Sequence, residues 1–283
     1  MNIHKIFITG GTGDLGTALV REVLAKKDTH VVTNGRDQSK AELLRDVLTD
    51  EQKTRFHFIQ ADMNKETPED IASRAYEKLG GIDMLISNLA VFNFDDVLEK
   101  SDTEMTQLYD TNMSALKLAD AAVNLVTRKG MHLVLCDIGS TSVIADMLGK
   151  PFQNTMHYGK TKADVVRHSI ELAHTNPLVT FRAVHPGSIA GKSAHQIKDK
   201  YGDTTVTTPQ ITARYTIDFF FKERSEKVLQ SIYTSEKYFA WTAEGPWYNK
   251  KSEIAESIEG LTPEAIVTIP VDGINSFKIS KEA

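Results

Sequence analysis

Short runs of β-forming apolar residues recur along this chain at 5–9, 30–33, 56–60, 84–87, 132–136, 180–184 and 265–271, with stretches of helical periodicity between them. Strand and helix patterns in alternation are what successive βαβ units produce, because parallel neighbours need a crossover that a helix supplies. Consecutive apolar residues, as in Leu133-Val134-Leu135, suit a strand covered on both faces. The chain therefore reads as an α/β fold: a doubly wound parallel sheet of about seven strands with helices on both faces. Leu15, Leu19 and Val23 mark the apolar face of a helix over 15–26. Met105, Leu108, Met113, Leu116, Ala119 and Val123 mark a longer one over 104–128.

No Pro/Gly-rich linker or internal repeat divides the 283 residues, and 41% hydrophobic content suffices for one core, so a single domain over 1–283 is expected. Residues 190–207 are polar and read as a lid over a bound molecule. Residues 222–263 fit the alternation least; with Trp241 and Trp247 around Gly245-Pro246 they read as an insertion before the last strand. A net charge of -5 without a basic block argues against a nucleic-acid partner. No apolar stretch approaches the roughly 18 residues of a membrane span. The first strand follows Met1 too closely for a signal peptide, so a cytoplasmic location is expected. Cys136 is the lone cysteine, and its apolar neighbours mark it as a buried strand residue. No grouping of His, Cys, Asp or Glu has metal-site spacing, so no metal is expected.

Thr9-Gly10-Gly11-Thr12-Gly13-Asp14-Leu15-Gly16 follows the first strand and opens straight into the first helix. Glycine allows a tight turn and a close backbone approach, and a helix start presents N–H groups and a positive dipole end to a phosphate. Gly10, Thr12, Gly13, Asp14, Leu15 and Gly16 are therefore candidate contacts for a dinucleotide; a turn that needs glycines only for its geometry is the alternative. The second strand runs out into Asn34-Gly35-Arg36-Asp37. An acid at this place accepts from the ribose 2′-hydroxyl of NAD, whereas an arginine accommodates the 2′-phosphate of NADP. Asn34 stands where the acid would be and Arg36 follows, so NADPH is expected. NAD is the alternative if Asp37 is the ribose contact. Asp62 and Met63, after the third strand, are placed for the adenine, although Asp62 serves equally as an N-cap.

Tyr158 and Lys162 lie one helical turn apart in His157-Tyr158-Gly159-Lys160-Thr161-Lys162. A phenol with a pKa of about 10 is a poor acid–base group at neutral pH, and a nearby ammonium favours its phenolate. An amphipathic helix with an interfacial tyrosine produces the same spacing. In chain order, however, the sequence carries Thr9-Gly10, Gly13, Gly16, Asp62, Ser87-Asn88-Leu89-Ala90, Asn112, Ile138-Gly139-Ser140, Tyr158, Lys162 and Pro186-Gly187. In these motifs the chain resembles the compact, single-domain branch of the short-chain dehydrogenase/reductase family, over about 3–221 and again over 267–273.

The resemblance implies a Rossmann-type fold, a small-molecule carbonyl or alcohol substrate, and a homo-oligomer, dimer or tetramer. It also implies a catalytic tetrad. Ser140 would hydrogen-bond the substrate carbonyl, Tyr158 would donate the proton, Lys162 would lower the tyrosine pKa and bind the nicotinamide ribose, and Asn112 would hold a water in the proton relay. Ser140 is chosen because it directly follows Ile138-Gly139, with Ser142 as the alternative. Further cofactor contacts are implied for Asn88, Tyr158, Lys162, Pro186, Gly187 and Ile189. Leu89 departs from the family pattern in bringing a larger side chain toward the adenosine ribose. His157 and His185 adjoin the motifs and read as hydrogen-bonded structural histidines. The expected function is NADPH-dependent reduction of a carbonyl, or its reverse. The alternatives are a non-catalytic NADP(H)-binding sensor or scaffold, and an epimerase or dehydratase with tightly bound NAD.

Overall fold

The computed structural model describes residues 2–92, 102–140, 142, 143, 146, 156–186, 189 and 208–221, and the backbone of five later strands within 230–281. The first half of the chain runs β1 (Lys5–Thr9), α1 (Asp14–Leu24), β2 (His30–Gly35), α2 (Gln38–Asp46), α3 (Asp50–Arg55), β3 (Phe56–Gln60), α4 (Pro68–Leu79) and β4 (Met84–Ser87). There follow α5 (Asp102–Thr127), β5 (Leu133–Ile138), α6 (Met156–Thr175), β6 (Val179–Pro186) and α7 (Pro209–Phe221). The remaining strands are β7 (Gln230–Thr234), β8 (Phe239–Thr242), β9 (Gly245–Tyr248), β10 (Ala265–Thr268) and β11 (Lys278–Lys281).

The main sheet has the order β3-β2-β1-β4-β5-β6-β7-β8-β9, parallel as far as β7. β8 and β9 continue it antiparallel. Strand order reverses between β1 and β4, which opens a crevice at the carboxyl ends of the strands where such folds receive ligands. Alternation within each strand builds two cores. Phe7, Leu133 and Leu135 face the layer of α4, α5 and α6, whereas Ile6, Ile8, Val134, Cys136 and Ile138 face α1 and α7. Phe219 and Phe220 are buried in the second layer, which makes them core residues. Cys136 is buried among them, and burial pushes its thiol well above the ordinary range, so it is held as an inert thiol.

One expectation is corrected. The strand that extends the parallel sheet beyond β6 is Gln230–Thr234, not the run at 265–271. That run supplies β10, which pairs antiparallel with β11 in a separate two-stranded sheet. The stretch read as an insertion thus provides three strands of the main sheet. The reason lies in composition: Gln230-Ser231-Ile232-Tyr233-Thr234 has only two large apolar residues between polar ends, too weak a pattern beside the apolar Ala265-Ile266-Val267. Trp241 and Trp247 fall on the adjacent strands β8 and β9. The proposed lid over 190–207 lies outside the described residues. No helix among the described residues is long and apolar enough to cross a membrane.

Candidate active site

The backbone turns at Gly10 with φ +63°, and Gly13 N donates to Gly10 O at 3.1 Å. Side chains from neighbouring strand ends hold this turn. Asn34 Oδ1 accepts from Gly10 N at 3.3 Å and Thr33 Oγ1 from Gly11 N at 2.8 Å. Asn88 Nδ2 donates to the carbonyls of Thr9 and Gly10 at 2.9 and 3.1 Å. α1 then starts from Gly13 with no side-chain cap, whereas Asp37, Thr49 and Thr67 cap α2, α3 and α4. The N–H groups of Asp14, Leu15 and Gly16 belong to the first turn, which has no intrahelical acceptors. A Cβ on Gly16 would lie 2.2 Å from Gly10 O, so the helix start is pressed directly onto the turn. Uncapped donors, a positive helix end and a side-chain-free approach together fit a pyrophosphate.

At the end of β2 the candidate residues divide. Asn34 is buried and its Oδ1 accepts from Gly10 N, so it helps to build the turn. Thr12 packs against Gly35. Arg36 is exposed beside the turn, its carbonyl fixed by Gln60 Nε2 at 3.1 Å. Asp37 caps α2, accepting from Ser39 N at 2.9 Å and Ser39 Oγ at 2.6 Å, bonds that hold its carboxyl below the usual range. After β3, Asp62 Oδ1 accepts from Asn64 N at 3.1 Å in a local turn, while Thr67 caps α4. Asp62 is therefore not the N-cap of that helix. Met63 packs partly buried against the core.

The second cluster forms where β5 ends and α6 begins. The Ser140 hydroxyl lies close enough to Tyr158 to lower its pKa and accepts from Ser142 N at 3.2 Å. Ser142 is instead buried against Gly159, at whose position a Cβ would lie 3.1 Å from that of Ser142. Of the two serines, Ser140 is thus the one brought to the phenol. Phe92 meets the Tyr158 ring edge to face, with centroids 5.0 Å apart and an interplanar angle of 78°. Protein packed around the phenol pushes it up to about 12, and Ser140 acts the other way. Lys162 is itself buried, burial pulls its ammonium down, and the charge it interacts with is Asp137.

Asn112 is buried at the middle of α5. Its Oδ1 accepts from Val91 N at 2.7 Å, and its Nδ2 donates to Val91 O at 3.1 Å and Thr161 Oγ1 at 3.3 Å. Both amide protons are committed, so the side chain fastens the segment after β4 to α6 and has no donor left for a relay water. His185, at the end of β6, is kept neutral because burial drives its imidazole down to about 3; it hydrogen-bonds the Ser140 backbone. A Cβ on Gly139 would lie 2.3 Å from His185 Nδ1. This ring therefore packs flush against the loop that carries Ser140. Pro186 is buried at the end of β6 and Ile189 is partly buried, while Gly187 lies outside the described residues. Among the described residues no cluster of His, Cys, Asp or Glu could hold a metal. Phe92, Asp137 and the packing of His185 on Gly139 were not found by motif. Only Asp137 carried a signal, a charge inside an apolar strand.

Comparison with known proteins places these features. The family described as short chain dehydrogenase matches residues 4–202. An uncharacterized oxidoreductase, YxnA of Bacillus subtilis (strain 168), is 30% identical over 205 residues, which span 69% of this chain and 55% of that relative's own length. The 3-oxoacyl-(acyl-carrier-protein) reductase FabG of Vibrio cholerae is 23% identical over 209 residues, covering 73% of this chain and 81% of its own. Among solved structures, ElxO with NADP bound superposes with a TM-score of 0.66 at 20% identity, over 82% of this chain and 98% of that one. An alcohol dehydrogenase from the archaeon Thermococcus sibiricus, complexed with 5-hydroxy-NADP, gives 0.66 at 17% identity, over 82% and 96%. At these identities the two structures speak to the fold, which they share.

Proposed function

The chain belongs to the short chain dehydrogenase family, and on that premise we propose that it is an NADPH-dependent oxidoreductase that reduces a carbonyl to an alcohol, or runs the reverse. The observation that carries this reading is the Ser140–Tyr158 pair, with Lys162 one turn along α6, on the same sheet edge as the uncapped start of α1. The nicotinamide, when bound, supplies a hydride. Ser140 donates to the substrate oxygen and fixes its orientation. Tyr158 passes its phenolic proton to that oxygen as negative charge develops there, so that no bare alkoxide forms. A phenol held near 12 is fully protonated at neutral pH and thus ready as the acid. The Lys162 ammonium offsets the phenolate left behind and holds the ribose. Pro186 and Ile189 would meet the carboxamide, and Asn112 acts indirectly by holding the segment that carries Phe92.

Preference for NADPH rests on Arg36 at the end of β2 and on the commitment of Asp37 to capping, which removes the competing ribose acceptor. NADP or an analogue also accompanies both structural neighbours. Replacing Arg36 with Ala is expected to raise KM for NADPH by roughly ten- to a hundredfold, the worth of one charge-assisted phosphate contact. KM for NADH should hardly move; equal losses for both would return the ribose to another residue.

The test of the function is a panel of aldehydes and ketones, with nicotinamide oxidation followed by absorbance. Oxidation of NADPH coupled to formation of an alcohol supports the reading. One observation favours the sensor alternative: Leu89, larger than the family's residue, packs against Gly10 of the turn. Tight NADPH binding with no oxidation across the panel would select that alternative.

A further inference from the structure

The carboxyl of Asp137 stands one residue before the end of β5, almost fully buried. In register it pairs with Ser87 of β4, so the two side chains share one face of the sheet. That face is covered by α6, where Lys162 and Ser169 lie seven residues apart on one buried stripe. Neither oxygen of Asp137, nor the hydroxyl of Ser87 or Ser169, makes a hydrogen bond of normal geometry. A buried carboxylate so placed is costly unless a cation offsets it. The remaining charged and titratable groups narrow the choice. Arg182 and Cys136 pair with each other in register and point to the opposite face, where Arg182 donates to the Phe220 carbonyl. His168 of α6 is bound to Asp120 of α5 at 2.7 Å. His185 is neutral, and Tyr158 is a protonated phenol. Among the described residues, Lys162 is the buried cation of this face.

We propose that Asp137 is the buried counter-ion of Lys162, a positioning residue that keeps the lysine charged for its work on Tyr158 and the ribose. Burial favours neutral forms of both groups, and each is the main charge that opposes this for the other. With the carboxylate removed, burial acts on Lys162 unopposed, and the ammonium is lost at lower pH.

The experiment uses the full chain without cofactor. The Lys162 side-chain resonance is assigned by its loss in Lys162→Met, then titrated by NMR in the parent and in Asp137→Asn. A fall of the midpoint by about one pH unit or more in the variant is expected from loss of an opposite charge in a buried setting. An unchanged midpoint overturns the proposal. Should Asp137→Asn fail to fold, Asp137→Ser removes the same charge with a side chain already tolerated at Ser87 and Ser169. A second arm rests on the proposed carbonyl reduction: the alkaline limb of kcat/KM should move to lower pH in step with the titration. A uniform loss of rate with the limb unmoved marks a merely structural role and refutes the counter-ion. If no carbonyl is reduced, the reading of the function fails while the titration still decides the role of Asp137.

Discussion

Tyr158→Phe is expected to lower the rate of carbonyl reduction by about two to four orders of magnitude, the usual contribution of a positioned general acid, while NADPH binds as before. The substitution deletes one hydroxyl and nothing else. The ring keeps its edge-to-face contact with Phe92, and Thr161, whose hydroxyl donates to the Tyr158 carbonyl at 2.9 Å, holds the backbone of the first turn of α6. Ser140 loses its phenolic neighbour but retains the bond from Ser142 N. Stopped-flow fluorescence for cofactor binding and single-turnover rates for chemistry separate the two effects. Retained turnover would remove Tyr158 from the mechanism, and a parallel loss of cofactor affinity would make it a binding residue.

Gly16→Val should abolish high-affinity NADPH binding and lower stability by about 1–3 kcal/mol, the range for overpacking a close contact. The Cβ alone would sit 2.2 Å from Gly10 O and 2.7 Å from Gly11 Cα, so either α1 or the turn must move. Both surfaces belong to the phosphate cradle, hence stability and affinity fall together. Gly13 provides the control. Its φ is -81°, and a Cβ there would meet Gly10 O at 3.5 Å, an ordinary contact. Gly13→Ala should therefore melt close to the parent, and thermal denaturation of the two variants checks the contrast. A Gly16→Val protein that melts and binds normally would mean that the helix start does not touch the ligand.

The three glycines looked equivalent in the sequence, since spacing says nothing about which backbone atom each one faces. The first six strands were legible because each is a compact apolar run in a layered fold, and β1, β3 and β4 begin and end where the pattern does. β7 was not, because the polar ends of Gln230–Thr234 hide a strand defined by its neighbour β6. In the active site, Tyr158 and Lys162 were legible as a helical spacing, and Ser140 as the first hydroxyl after a strand. What could not be read was the second partner of each group. Asn112 is tied to Val91 across 21 residues and to Thr161 across 49. His185 sits on Gly139, and Asp137 lies on the sheet face that the helix of Lys162 covers. These contacts join separate strands and helices, so only the assembled sheet brings them together.

The most direct test of the proposed chemistry follows the label from NADPH carrying deuterium at both C4 positions, mixed with the purified protein and a carbonyl compound that it accepts. Mass spectrometry of the product should find one deuterium on the carbinol carbon for each cofactor oxidised, with none above background for Tyr158→Phe. A cofactor that keeps both deuteriums throughout the aldehyde and ketone panel, while NADPH is firmly bound, would contradict the account.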